Sequence, residues 1–345
     1  MKKNYEPKPL FIERMKLLLG KDFEEYEEIL KKLPVRSIRV NTLKISPEEL
    51  KKRLEEKDWK INQPWKDNPE VMIIEGKLPR EDDDKDDSVE AVGRTADKDK
   101  LIDLEPGELG RALEHLLGYY YVQELASMLP IIALKPRPNE AILDLCSAPG
   151  SKTTQIAAEM ENTGIIIANE IHLGRIKILA SNLERCGVTN TIITRKEGKA
   201  LCERLNQQDF KFDKILLDAP CSGEGTLRST PVTYQMWNPK TIKRLSRLQK
   251  QLFESAFELL KIGGEIIYST CTHAPEENED VIDFALKKLG DQIQIEKINL
   301  PIKCRPGISN WKDKEYSKKV TQACRIYPQD NNTEGFFITK FRRVK

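Results

Sequence analysis

The apolar positions of this chain fall into two regimes. In residues 8–33, Phe11, Met15, Leu18, Leu19, Phe23, Tyr26 and Leu30 recur at helical spacing, and Gly20 breaks the run. SIRVNTLKI (37–45) then reads as a strand. A helix is expected from SPEEL, with Ser46 as N-cap, Pro47 in the first turn and Glu49 completing a capping box. WKINQPW (59–65) and VMIIEG (71–76) read as short strands. Residues 79–105 have no sustained apolar period and include EDDDKDD at 81–87, so they read as an acidic linker or surface loop. Residues 1–105 are thus expected to form a smaller N-terminal α+β domain.

From about residue 140 the pattern changes. AILDL, GIIIANE, NTIITR, KILLDAP and GEIIYSTCT are short apolar runs rich in isoleucine and leucine, separated by helical segments. The clearest helix carries Ile242, Leu245, Leu248, Leu252, Ala256 and Leu259 on one stripe and is expected to stop at Gly263-Gly264. Strands alternating with helices imply βαβ units and a parallel sheet covered on both faces. The last strand, GFFITKFRR, follows a loop rather than a crossover helix and is expected to insert antiparallel. The fold class expected for 106–345 is therefore α/β, Rossmann-like, with a mostly parallel sheet. No internal repeat is visible.

Composition changes this picture little. The chain has 345 residues, 39% hydrophobic and 32% charged, with a net charge of +2. No apolar run approaches a membrane span and the N-terminus lacks a signal-peptide core, so a soluble cytoplasmic protein is expected. Positive charge concentrates in residues 31–60, including Lys51, Lys52 and Arg53. The seven cysteines are odd in number and contain no CxxC pair, which speaks against a metal site or a disulfide framework. No pattern sets the oligomeric state.

Candidate chemistry begins at LDLCSAPGSKTTQIA, where a strand enters a Gly/Pro/Ser turn and then a helix. The turn's amides and the positive helix end suit an anionic group, and Lys152 adds a point charge. The sequence lacks both GxGxxG and the P-loop, which disfavours dinucleotides and triphosphates. Glu170 closes the next strand, where a carboxylate can accept hydrogen bonds from a ribose diol. An adenosine with a charged amino-acid tail fits better than a dinucleotide.

Two further strands end on cysteines. LLDAPCSGEGTLR places Asp218 and Cys221 at one strand end, and YSTCTHAPEENED places Cys271 at the next. Consecutive strands usually lie close, so both thiols are expected to face one cleft. A cysteine on a strand is ordinarily a small hydrophobe, but these sit among turn residues at polar ends. Two thiols have a use in cytosine chemistry. A thiolate added to C6 makes C5 nucleophilic enough to take a methyl group, and the adduct must then be released. The thiolate needs a nearby charge or helix N-terminus, and a helix beginning near Pro275 is expected to supply one. Asp218, protonated or sharing a proton with N3, would stabilise charge developing on the ring.

These motifs resemble the Sun-family (Fmu-type) RNA 5-methylcytosine methyltransferases. SIRVNTLKI, GYYYVQELASMLP, LDLCSAPGSKTT, ANEIHLGRIKILASNLERCGVTN, LLDAPCSGEGTLRS, YSTCTHAPEENE and RIYPQDNNTEGFF occur in the family's order and span residues 37–343. The resemblance implies an S-adenosylmethionine-dependent methyltransferase domain acting on RNA, either transfer RNA or ribosomal RNA. It implies Cys271 as nucleophile, Cys221 as the residue that helps release product, and Asp218 and Lys152 beside the base. It implies cofactor contacts at Cys146, Ser147, Ala148, Pro149, Gly150, Ser151 and Lys152, at Glu170 and Arg175, and at Asp218. Three positions depart from the family. Ser147 and Ser151 stand in a loop that more often reads CAAPGGK, Glu170 replaces an Asp, and KEGK offers Glu197 where an adenine-side Asp is usual.

The N-terminal unit resembles the family's substrate-side domain, and its basic stretch would either neutralise RNA phosphates or, in SPEELKKRLEEK with its interleaved acids, form a solvated helix face. Tyr119–Tyr121 would either stack a base or pack on the sheet. Three other readings compete with the enzyme. They are a catalytically idle RNA-binding scaffold of the same fold, a nucleotide-dependent oxidoreductase, and a DNA cytosine methyltransferase. The missing dinucleotide loop disfavours the oxidoreductase, and the TCT cysteine favours RNA over DNA.

Overall fold

The structure, a computed structural model, describes residues 6–79 and 101–345. The acidic run 81–87 lies outside the described residues. The chain forms two compact units. The smaller comprises Val35–Glu124 with Arg185–Gly187, and the larger comprises Met1–Pro34, Leu125–Glu184 and Val188–Lys345. This differs from the boundary expected at residue 105. The amphipathic pattern of residues 8–33 announces an apolar face but does not say what covers it. Phe11, Met15, Phe23 and Tyr26 pack with Leu227, Trp237, Ile242 and Tyr327 of the larger unit.

The smaller unit is an antiparallel sheet of β1 (Arg36–Val40), β2 (Trp59–Asn62), β3 (Val71–Lys77) and β4 (Tyr120–Val122), in the order β2-β3-β1-β4. The helix Pro47–Glu55 begins as its sequence requires, with the Ser46 hydroxyl accepting from the Glu49 amide. It buries Leu50 and Leu54 against Ile38, Val40 and Trp59. Tyr120 and Tyr121 are buried and Tyr119 packs against this core.

The larger unit is built on nine strands. β5 (Ala141–Asp144), β6 (Ile165–Asn169), β7 (Thr191–Thr194), β8 (Phe212–Asp218) and β9 (Leu260–Thr270) are parallel, as expected. β10 (Ile293–Glu296), β11 (Arg305–Pro306), β14 (Cys324–Ile326) and β15 (Phe336–Arg343) add antiparallel strands, while β12 (Asn310–Trp311) and β13 (Lys314–Glu315) form a separate hairpin. The order is β11-β14-β15-β9-β8-β5-β6-β7, with β10 on β15. The expected antiparallel insertion of the last strand is observed, paired along β9. Strand order reverses between β5 and β8, the place where open α/β sheets bind ligands. The core gathers Leu143, Ile215, Leu217, Phe253, Tyr268 and Phe337.

Two local expectations are corrected. The apolar helix spans Pro239–Phe257 and ends before Gly263-Gly264, which lie inside β9. Leu260 must pair with Phe212, and the two glycines absorb a register irregularity, with Gly263 at φ 81°. Cys304 and Cys324 form a disulfide. Their separation of 20 residues has no motif, so spacing alone conceals it. No helix among the described residues is long and apolar enough to cross a membrane.

Candidate active site

The site forms where β5, β6, β7, β8 and β9 end. Parallel register aligns the strand ends: Asp144 pairs with Ala168, Asn169 with Thr194, and Asp218 with Ser269. Cys221 lies three residues beyond Asp218, and Cys271 lies two beyond Ser269. Their sulfur atoms are therefore brought together, at 3.1 Å. The hydrogen bond that the Cys221 thiol makes to Cys271, together with burial, pushes the Cys221 thiol well above its ordinary value.

A cation stands beside the pair. Lys152 Nζ is 2.8 Å from Asp218 Oδ2 and donates to Ser127 Oγ at 3.0 Å. It lies 5.2 Å from the centre of the Phe336 ring. Burial alone would lower its pKa, but Asp218 reverses the sign and Cys271 adds to the rise, so the ammonium is held charged. The other Asp218 oxygen accepts from Ser269 at 2.7 Å. The charge that faces Cys271 is thus Lys152. The expected helix near Pro275 begins only at Glu279, and its first turn carries Glu279 and Asp280.

Behind the thiols, Glu277 is fully buried and accepts from the Ser222 amide at 3.0 Å and from Gln249 at 2.8 Å. Gln249 also donates to the Pro220 carbonyl. Burial pushes Glu277 up to about 7 despite these bonds. The Gly225 amide donates to the Cys271 carbonyl at 2.9 Å, and the Gly335 amide to the Gly225 carbonyl at 2.8 Å. Sequence reasoning passed over Ser127, Gln249, Ser269 and Glu277. Only Glu277 had a local signal, in the run EEN directly after the cysteine motif.

The loop after β5 holds the other candidate residues. The Ala148–Pro149 peptide is cis, and Gly150 has φ 105°, a conformation that favours glycine at the entry to the helix Ser151–Glu159. Ser147 donates to the Asn169 carbonyl through both its amide and its hydroxyl. Burial, with nearby Asp144, drives the Cys146 thiol far upward. Asp144, fixed by Thr153 at 2.7 Å, is itself pushed to about 7 by burial. Glu170 is buried beneath Arg175. One oxygen accepts from the His172 amide, the other is 2.8 Å from the guanidinium, and Arg175 also reaches the Ala148 carbonyl. Glu197 caps the helix Gly198–Gln207, accepting from the Lys199 and Ala200 amides. The strand ends therefore bring the loop 146–152, Glu170, Glu197, Asp218, Cys221 and Cys271 to one edge of one sheet.

Residues 131–342 match the model of the family described as 16S rRNA methyltransferase RsmB/F. The chain belongs to the RsmB/F family. Residues 8–70 match the N-terminal domain of 16S rRNA methyltransferase RsmF. The Sun-family resemblance is borne out, and the RsmB/F protein described here is a methyltransferase. One relative, tRNA (cytosine(49)-C(5))-methyltransferase of Pyrococcus abyssi, is 40% identical over 94% of this chain and 93% of its own length. Ribosomal RNA small subunit methyltransferase F of Aliivibrio salmonicida is 38% identical over 93% of this chain, which spans only 60% of that longer protein. Among solved structures, a methyltransferase homolog from Pyrococcus horikoshii superposes with a TM-score of 0.78 at 33% identity, covering 97% and 95% of the two chains. NSun6 from the same organism, solved with SFG, gives 0.77 at 27% identity, covering 98% of each chain.

Proposed function

We propose that this RsmB/F protein transfers a methyl group from S-adenosylmethionine to C5 of cytosine in RNA, through a covalent bond between Cys271 and C6. The observation that carries the reading is the pair of facing thiols with Lys152 and Asp218 at their side. Transfer RNA is the proposed substrate class, supported by the near full-length match to the Pyrococcus abyssi enzyme. Ribosomal RNA is the second reading, supported by the RsmF relatives.

The residues present fit the cofactor. The loop Cys146–Lys152 ends at a helix N-terminus suited to a carboxylate. Glu170 and Asp218 offer carboxylates to a ribose diol and a cationic amine. Each Glu197 oxygen caps one amide and keeps capacity for an adenine edge. Arg175 is half exposed over Glu170, so its guanidinium is the group that yields to a ribose. Bound S-adenosylmethionine supplies an electrophilic methyl group.

The chain's own residues do the rest. The Cys271 thiolate adds to C6, and the ring electrons shift to C5 with charge developing at N3. Lys152 stabilises the thiolate before attack, and Asp218 orients Lys152 beside the ring. After methylation C5 gives its proton to a solvent water, the C–H electron pair becomes the C5–C6 double bond, and the sulfur departs with the S–C6 pair. Cys221, held as a thiol, donates a hydrogen bond to the departing sulfur. The compartment proposed is the cytoplasm, where disulfides such as Cys304–Cys324 are common chiefly in hyperthermophiles.

The test is a methyl-transfer assay on an unmodified transfer-RNA transcript, with mapping of 5-methylcytosine. Methyl incorporation at a single cytosine is expected. An inert protein that still binds RNA would instead support the idle scaffold.

A further inference from the structure

Much of the charge of the basic stretch 31–60 is paired with acids of the same unit. Lys31 pairs with Glu28, Lys51 with Glu55, Arg53 with Glu49, Lys57 with Glu114 and Lys60 with Glu75. Arg39 is buried, and Lys44 donates to the Leu117 and Arg185 carbonyls. Little of this charge is left for a polyanion.

The helix Pro239–Phe257 behaves differently. Lys240, Lys243, Arg244 and Arg247 stand at spacings of three and four residues, so they share a face, and no acid occurs from 239 to 253. Like charges at this spacing repel. The first turn adds a second penalty, because cations there oppose the helix dipole and no acid offsets it. Nothing in the helix itself favours this arrangement.

Lys243 and Arg247 line a groove of about 410 Å³, completed by Lys312 and Lys314 of the hairpin and by Arg14 and Lys250. Two carboxylates share it, and both are engaged: Glu276 takes Arg14 at 2.8 Å, while Asp280 takes Lys250 at 2.7 Å and Lys314 at 3.0 Å. Six cations against two carboxylates leave a formal excess of four, in a chain whose total is +2. Among the described residues, Lys243, Arg247 and Lys312 have no carboxylate partner.

The groove is tied to the catalytic turn. Gln249, two residues beyond Arg247, holds the Pro220 carbonyl and Glu277, and Glu277 holds the Ser222 amide beside Cys221. Glu276 in the groove wall directly precedes Glu277. A strand anchored at Lys243 and Arg247 is anchored to the helix that braces the nucleophile's partner.

We propose that this groove binds the phosphate backbone of the RNA strand carrying the target cytosine, through Lys243, Arg247 and Lys312. The proposal rests on the reading of the protein as an RNA methyltransferase. Phosphate contacts of this kind set register and affinity without reading bases.

The test compares the intact protein with the double variant Lys243→Gln, Arg247→Gln and with a control, Lys52→Gln, Arg53→Gln. Binding of a labelled unmodified transfer-RNA transcript is followed by fluorescence anisotropy across a salt series, and methyl transfer is measured separately. The groove variant is expected to bind about tenfold more weakly. Its slope of log affinity against log salt should flatten by about 1.4, at about 0.7 per single-strand contact. KM for RNA should rise with kcat and S-adenosylmethionine affinity unchanged, and the control should stay near the parent. A groove variant that keeps parental RNA affinity at every salt concentration overturns the proposal and leaves the groove to an acidic protein partner. Charge-sensitive RNA binding without any methyl transfer would instead sink the enzymatic reading while sustaining the groove.

Discussion

Cys221 and Cys271 present their sulfur atoms to each other at 3.1 Å because the parallel pairing of Asp218 with Ser269 leaves each cysteine just past its strand end. Their environments differ: Cys221 backs onto Glu277, which raises its thiol further, whereas Cys271 lies within the field of Lys152. Cys221 is suited to remain protonated, and the two cysteines should fail differently. Cys271→Ala should abolish methyl transfer and any covalent RNA adduct. Cys221→Ala should permit attack and methylation but slow departure, so protein accumulates bound to RNA as a slower band on a denaturing gel. The double variant should lose that band. Cofactor binding, measured first, separates chemistry from misfolding. Turnover retained by Cys271→Ala, or a band that depends on Cys221 alone, would reverse or remove these roles.

Glu170→Ala should weaken S-adenosylmethionine binding by about 1.5–3 kcal/mol, the worth of hydrogen bonds to a charged group. The substitution also strips Arg175 of its ion pair. Calorimetry giving parental affinity would take Glu170 out of the cofactor site.

Glu277 makes stability depend on pH. Its carboxyl is raised from the ordinary 4.5 to about 7, so the folded protein holds the proton more tightly than the unfolded chain does. The resulting stabilisation is complete below about pH 4.5 and is lost as pH rises through about 7. Glu277→Gln removes the titration while keeping an oxygen for Ser222. Its melting temperature should therefore fall less steeply than the parent's between about pH 5 and 7. Asp144, raised to about 7 as well, titrates in the same window and preserves part of the slope. Parallel melting profiles for parent and variant would refute the assignment.

Gly225→Ala should damage the site without touching a reacting group. A Cβ at 225 would stand 2.3 Å from the Gly335 carbonyl oxygen and 2.9 Å from that of Cys271. Backbone must move, at about 1–3 kcal/mol for such overpacking. Loss of both stability and methyl transfer is expected, read by thermal melting and the RNA assay. A fully active, equally stable variant would show that the carbonyl of Cys271 has room to shift.

Much of this was legible in the residues. Short uniform apolar runs, the mark of burial on both faces, place β5 to β9, and a period of 3.6 places their helices. Strand adjacency alone brings Cys221 toward Cys271. What stayed hidden depends on partners distant in sequence. Glu277 looks like one acid among four in PEENED until Gln249 and Ser222 meet it. Cys304 and Cys324 carry no spacing signal. The helix Pro239–Phe257 displays its apolar stripe so plainly that its opposite, acid-free face escapes notice. The stretch 31–60 looks basic by count, yet the sequence does not show that Glu49, Glu55, Glu75 and Glu114 cancel it.

The N-terminal helices have a consequence for how the protein is made. Phe11 meets Tyr234 and Trp237 edge-on at 5.4 and 5.5 Å, and Arg14 reaches Glu276 across 262 residues of sequence. At about 5–20 residues per second, a ribosome takes roughly 13 to 50 seconds to supply that partner. For most of that interval the helices Pro9–Leu19 and Phe23–Leu30 carry an apolar face whose partners Leu227, Tyr234 and Trp237 are not yet made. A segment made well before its partners is therefore among the last to find its place.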